Sequence, residues 1–231
     1  LHAAQGATVH SISWGDESSA GYGGLARAID EFCWADDAQL VVVAVSNGAT
    51  LRTPENAKNA LAVAATQDTP FQDRFCVGAP GPTADGRRKP DLVAPGCSVF
   101  SAYPFGGGCQ TVFASGTSMA AAAVSGAAAI VRGYFMDGRG PLGEPDASAG
   151  FTPSGALVKA TLVAGAAAVA QEAGWPGDRE GWGRVRLAGS LPLVGSGLGL
   201  VTAQAWNGSE DALATGESSV LAFEAAGGPV R

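Results

Sequence analysis

Phe113-Ala114-Ser115-Gly116-Thr117-Ser118-Met119-Ala120 runs without a break into Ala121-Ala122-Ala123-Val124-Ser125-Gly126 and on to Val131. A glycine, two hydroxyl residues and then a train of small side chains predict a sharp turn that opens an Ala-rich helix. Gly116 lets the backbone turn, and Ala120 to Ala123 let the helix press close to a sheet. Ser118 then falls in the first turn, where unpaired N–H groups and the positive dipole end face any developing anion. Two readings stand for it on these residues alone. It is a helix-capping hydroxyl, or it is a nucleophile, which needs a neighbouring base. The run Met119 to Val131 is too short and too Ala-rich to span a bilayer, so a buried helix is expected.

The residues on either side supply the rest of an α/β domain. Ala7 to Ile12 has the β-branched content of a short buried strand. Leu25 to Trp34 carries Leu25, Ala28, Ile29 and Phe32 at the spacing of an amphipathic helix. Leu40 to Ala44 is a continuous apolar run, as in a strand covered on both faces, and another follows at Leu61 to Ala65. Strand, helix, strand in this rhythm predicts a βαβ unit and a mainly parallel sheet. Pro80 to Pro95 reads as a loop region, followed by a short strand near Val99 and a turn at Gly106 to Gly108. Thr152 is expected to cap a helix opened by Pro153 and ending near Ala164. A domain boundary is expected between Pro192 and Gly197. Beyond it, Leu198 to Val201, Ala212 to Leu213 and Ser219 to Phe223 read as short strands of a β-rich module.

Composition narrows the partners. The 231 residues carry 34 Gly, about twice the usual share, and 13 Pro, which favour tight turns over long helices. Net charge is −7 and no basic run exceeds Arg87-Arg88-Lys89, which argues against nucleic acid. Leu1-His2-Ala3-Ala4 is no secretory leader, so any signal is expected in sequence upstream. Cys33, Cys76, Cys97 and Cys109 show no C-x-x-C spacing, so no zinc site is expected. Either Cys97 and Cys109 close the Gly-rich loop as a disulfide, or all four are buried thiols. Asn207-Gly208-Ser209 fits a glycosylation acceptor and equally a plain turn.

Phe113 to Ala120 followed by Val124-Ser125-Gly126 resembles the nucleophile segment of the subtilisin-like serine proteases. Gly81 to Gly96, with Arg88-Lys89-Pro90-Asp91-Leu92-Val93-Ala94-Pro95-Gly96 at its end, resembles the family's loop before the serine. Pro54-Glu55-Asn56-Ala57-Lys58-Asn59-Ala60 and Gly181-Trp182-Gly183-Arg184-Val185 are similar to two further family segments. Gly6 to Gly15 resembles the corresponding strand of the alkaline proteases that carry a C-terminal β-barrel. The likeness covers residues 1 to about 193 in order. It implies a three-layer α/β domain over 1–193, lacking its N-terminal portion. Residues 194–231 would then begin a β-sandwich or jelly-roll-like module packed on it.

The resemblance also assigns roles. Ser118 is the nucleophile, and Asn47 is the side-chain oxyanion donor, although Asn47-Gly48 alone reads as a turn. Ser13, Trp14 and Gly15 form one wall of the primary substrate pocket, and Ala44, Val45 and Ser46 form the other; Trp14 alone would read equally well as core. The family order is Asp, His, Ser. His10 lies in a strand and is expected to be structural, and His2 matches nothing catalytic. The catalytic Asp and His are therefore expected upstream of Leu1, and this stretch alone is expected to be nearly inert. A secreted endopeptidase acting on polypeptides is implied, with no cofactor in the chemistry and a stabilising calcium ion for which no ligands can be named. Two departures stand out. Ala121, Ala122 and Ala123 replace the family's Thr-Pro-His, and Ser46 replaces a Gly.

Other classes fit less well. An α/β-hydrolase needs Gly-x-Ser-x-Gly, but Ala120 takes the last Gly position. Gly21-x-Gly23-x-x-Ala26 does not directly follow a strand, as a dinucleotide site requires. A non-catalytic scaffold, degenerate or fragmentary, is the remaining alternative.

Overall fold

A computed structural model of the chain describes residues 2–103, 105–170, 172, 174–206, 209, 212–214, 216–220 and 222. Five strands build the main sheet: β1 (Val9–Ile12), β2 (Leu40–Ala44), β3 (Leu61–Gln67), β4 (Phe75–Val77) and β5 (Leu92–Cys97). β1, β2, β3 and β5 are parallel, and β4 pairs antiparallel with β3. β6 (Val99–Tyr103) and β7 (Gln110–Ala114) form a separate antiparallel hairpin across the Gly106–Gly108 turn. The helices are α1 (Gly24–Ala35), α2 (Thr117–Met136), α3 (Gly155–Ala164) and the single turn α4 (Leu187–Ser190).

Alternation along the strands sorts the core into layers. Leu40, Val42 and Ala44 face one way with Leu61, Val63 and Leu92, packing against Ala120, Val124, Ala128 and Val131 of α2 and Val158 and Leu162 of α3. Val41 and Val43 face the other way, onto Ala26 and Ile29 of α1. Every residue of β2 is buried, as a strand sandwiched between helices must be. The domain is a three-layer α/β sandwich, as its sequence predicts.

α2 buries Ala120, Ala121, Val124, Ala127, Ala128 and Val131, one stripe at helical spacing. By length and composition it is apolar enough to cross a membrane, yet half of its most apolar window is buried in the fold. It is the core helix that Met119 to Val131 predicts, extended at both ends.

Four expectations are corrected. The Pro80–Pro95 region is not all loop, because β5 runs through Pro95 and Gly96. A Cβ on Gly96 would lie 2.7 Å from Ala65 Cβ and 2.7 Å from Gly116 O, so only glycine allows β3, β5 and the head of α2 to meet. The cap of α3 is Ser154, whose Oγ accepts the Leu157 N–H at 3.0 Å, and not Thr152. Arg132 Nη1 donates to Pro153 O and Ser154 N–H donates to Gln204 Oε1, which holds that segment out of the helix. The disulfide joins Cys76 to Cys97 and not Cys97 to Cys109; β4 and β5 both pair with β3, which brings their cysteines together, while Cys109 is an exposed thiol on the hairpin and Cys33 a half-buried one. Leu198 to Val201 forms no strand, and neither do Ala212 and Leu213. Asn207 and part of the Ser219–Phe223 segment lie outside the described residues.

A buried ionic knot fastens β5. Asp91 Oδ2 accepts the Ala62 N–H at 2.7 Å and pairs with Lys89 Nζ at 2.6 Å, while Lys159 Nζ reaches Oδ1 at 3.0 Å. Both lysines also donate to Ala60 O. Burial raises the Asp91 carboxyl, but the two ammonium groups outweigh it and hold it below the usual range.

Candidate active site

Ser118 is the second residue of α2, with Gly116 as N-cap. Its backbone N–H lies among the first four of the helix, which have no partner within the helix. Gly116 has φ +151°, and a Cβ there would lie 3.3 Å from Asn47 Oδ1. The glycine is thus required twice, for the turn and for the approach of Asn47.

Asn47 stands just past β2 with its amide held at one end. Oδ1 accepts the Thr117 N–H at 3.0 Å and lies 3.2 Å from Thr117 Oγ1, which also donates to Val45 O at 2.6 Å. Oδ1 is thus occupied, which fixes the orientation of the amide.

Across from it, Ser13 Oγ donates to Ser118 O at 3.3 Å, and Ser118 Oγ lies 3.5 Å from Ser13 O. Ser13, Trp14, Gly15, Ala44, Val45, Ser46, Asn47 and Ser118 line one recess, so the structure brings every sequence-predicted site residue together. Thr117, Glu17 and Glu55 line it as well. Thr117 lies in the motif beside Ser118, whereas the places of Glu17 and Glu55 were not legible in the sequence, because they depend on how two loops cross. Asp16 N–H donates to Thr53 O and Thr53 N–H to Ser19 O, laying one loop over the other. Glu17 Oε2 then accepts from Ser46 Oγ at 2.7 Å, and Glu55 Oε1 accepts the N–H groups of Ser46 and Arg52 at 2.9 and 2.7 Å. Burial pushes the Glu55 carboxyl up, only partly offset by those two N–H groups.

Ser118 Oγ has no imidazole or carboxylate within hydrogen-bonding distance among the described residues. His10 is turned elsewhere, with Nε2 2.8 Å from Gln39 Oε1 and its ring edge-on to Phe32. Nor do three or more His, Cys, Asp or Glu side chains gather to hold a metal ion among the described residues, so no calcium ligands are assigned.

A mainly parallel α/β sandwich with a serine at a helix start, an asparagine just past a strand end and a recess between them defines a subtilisin-like fold. The family model described as "Peptidase_S8: Subtilase family" matches residues 2–183, and the chain belongs to that family of serine proteases. Among curated proteins it is similar to the serine protease/ABC transporter B family protein tagA of Dictyostelium discoideum, 42% identical over 98 residues, which is 36% of this chain and 6% of tagA. It is also similar to tagD of the same organism, 25% identical over 68% of this chain and 14% of tagD. Among solved structures, the prenylagaramide maturation protease PagA superposes with TM-score 0.63 at 26% identity, covering 81% of this chain and 62% of PagA. The patellamide maturation protease PatA gives TM-score 0.61 at 28% identity, covering 81% of this chain and 63% of PatA. The chain thus spans under two thirds of these solved relatives and a small part of the curated ones.

Proposed function

We propose that these residues are the serine-bearing part of a subtilisin-like endopeptidase that cleaves polypeptides through an acyl-enzyme on Ser118. The clamp of Thr117 on Asn47 beside the start of α2 carries this reading. In the reaction, Ser118 Oγ attacks the scissile carbonyl carbon while a base takes its proton. The oxyanion is met by the Ser118 N–H and Asn47 Nδ2. Collapse breaks the C–N bond, the amine leaves with the proton, and water then releases the acyl group.

Polypeptide outside these residues supplies the Asp and His of the triad. Two observations support this. Ser118 Oγ lacks a base among the described residues. The outer edge of β1 also pairs with nothing there, and an apolar trough of about 730 Å³ lined by Val9, Ile12, Leu25, Ile29 and Phe32 runs beside it. A preceding segment of the same protein fills that trough and completes the sheet. The stretch on its own is then inactive. The Cys76–Cys97 bond supports an oxidising, extracytoplasmic setting. A structural calcium ion and a C-terminal β module from about residue 194 remain part of the proposal.

Labelling the full-length protein with a fluorophosphonate and mapping the adduct tests the nucleophile. Label on Ser118 is expected; a folded, complete protein left unlabelled there would favour the non-catalytic scaffold. In subtilisin, loss of the side-chain donor costs about 10²–10³ in turnover, and N47A is expected to lower kcat by the same order with KM little changed.

A further inference from the structure

The recess beside Ser118 has a mixed lining. Its sides are apolar or backbone, from Gly15, Ala44 and Val45, and Trp14 stands 61% exposed at the rim. Two carboxylic residues also line it, exposed Glu17 and buried Glu55, and both hydrogen-bond to Ser46. Glu55 is 1% exposed, and its Oε1 accepts the N–H groups of Ser46 and Arg52. The Arg52 guanidinium acts on Glu55 and on Asp16, but Arg52 is not part of the recess lining.

From this geometry we propose that the recess selects a basic side chain, Arg or Lys, on the acyl side of the scissile bond, with Glu17 and Glu55 as its specificity-determining carboxylates. The proposal rests on the endopeptidase reading above. A long apolar side chain entering the recess would strip water from the exposed Glu17 carboxylate and leave the buried Glu55 carboxyl facing a group that offers it no donor. An Arg or Lys side chain lays its methylene stem along Gly15 and Ala44 and brings donors to those oxygens. Trp14 covers the stem at the mouth, and its ring face suits a guanidinium. An acidic group in the primary pocket is the same device that gives trypsin its preference for basic residues.

The test uses the full-length protein and peptidyl diphenyl phosphonates that differ only in the residue next to phosphorus: Arg, Lys, Leu or Phe. A fluorophosphonate without a side chain serves as reference. The Arg or Lys probe is expected to label Ser118 at least about tenfold faster than the Leu and Phe probes. E17Q is expected to shrink that ratio by about tenfold, and E55Q to do the same. Should E55Q fail to fold, the wild-type ranking and E17Q still decide the matter. Reference labelling of Ser118 with Leu or Phe probes equal to or faster than Arg and Lys would overturn the basic preference and leave the nucleophile standing. A basic preference unchanged in E17Q would overturn the role of that carboxylate. No reference labelling would overturn the endopeptidase reading itself, and this proposal with it.

Discussion

Thr117 holds the oxygen of the Asn47 amide through its N–H, and its hydroxyl, donating to Val45 O, stands 3.2 Å from the same oxygen, so the orientation of the amide depends on the neighbour of Ser118. T117V keeps the first contact and loses the second, along with the bond to Val45 O. A net hydrogen bond contributes about 1 kcal/mol. T117V is therefore expected to lower kcat about five- to tenfold with KM unchanged, and T117S to restore it; steady-state kinetics on the full-length protein decides. Glu55 makes a prediction of opposite sign for stability. A carboxyl whose pKa is raised by folding favours the folded state at low pH, and that advantage fades as pH climbs above its ordinary 4.5. E55Q, which keeps an oxygen for Ser46 and Arg52 N–H, is expected to raise the melting temperature at pH 7–8, and thermal unfolding reads this directly. At this scale the motif residues were legible. Ser118 and Asn47 sit in short contiguous signals, whereas Glu17 and Glu55 join the site only after distant loops cross, a relation that spacing does not encode.

The elements follow from side-chain size. α2 meets the sheet through alanines, and Ala121 is fully buried among them. Forcing a larger side chain into such a contact typically costs about 1–3 kcal/mol. A121L is expected to lose that much in urea unfolding, while the same change at exposed Ala122 is expected to be nearly neutral. β2, β3 and α1 were readable because apolar runs and helical spacing are local. β5 was not: Pro95 and Gly96 read as loop, yet Gly96 is there because β3 and Gly116 leave no room for a side chain. Ser154 displaced Thr152 as a cap for a similar reason, since Arg132 and Gln204 hold the preceding backbone outside the helix.

Across the whole molecule, two fastenings hold the sheet to its surroundings. In the first, Asp91 bears on Lys89, Lys159 and Ala62 at once. Its folded pKa is depressed, so its contribution is present above the ordinary 3.8 and lost as pH falls below it. D91N leaves the buried Lys89 ammonium and the half-buried Lys159 ammonium uncompensated and is expected to cost about 3–5 kcal/mol at pH 7. In unfolding titrations the gap between D91N and wild type should narrow below about pH 3.8. The second fastening is the Cys76–Cys97 bond, which closes a loop with a sequence separation of 21. Replacing both cysteines by serine is expected to cost about 2–4 kcal/mol. That loop also contains exposed Arg88, stacked on Trp182. On the proposed preference for basic residues, exposed Arg88 offers a cut within the protein's own loop, against the hold of buried Lys89 on Asp91. A cut there parts the backbone without parting the molecule: the two pieces migrate as one on a non-reducing gel and separate only when a thiol is added.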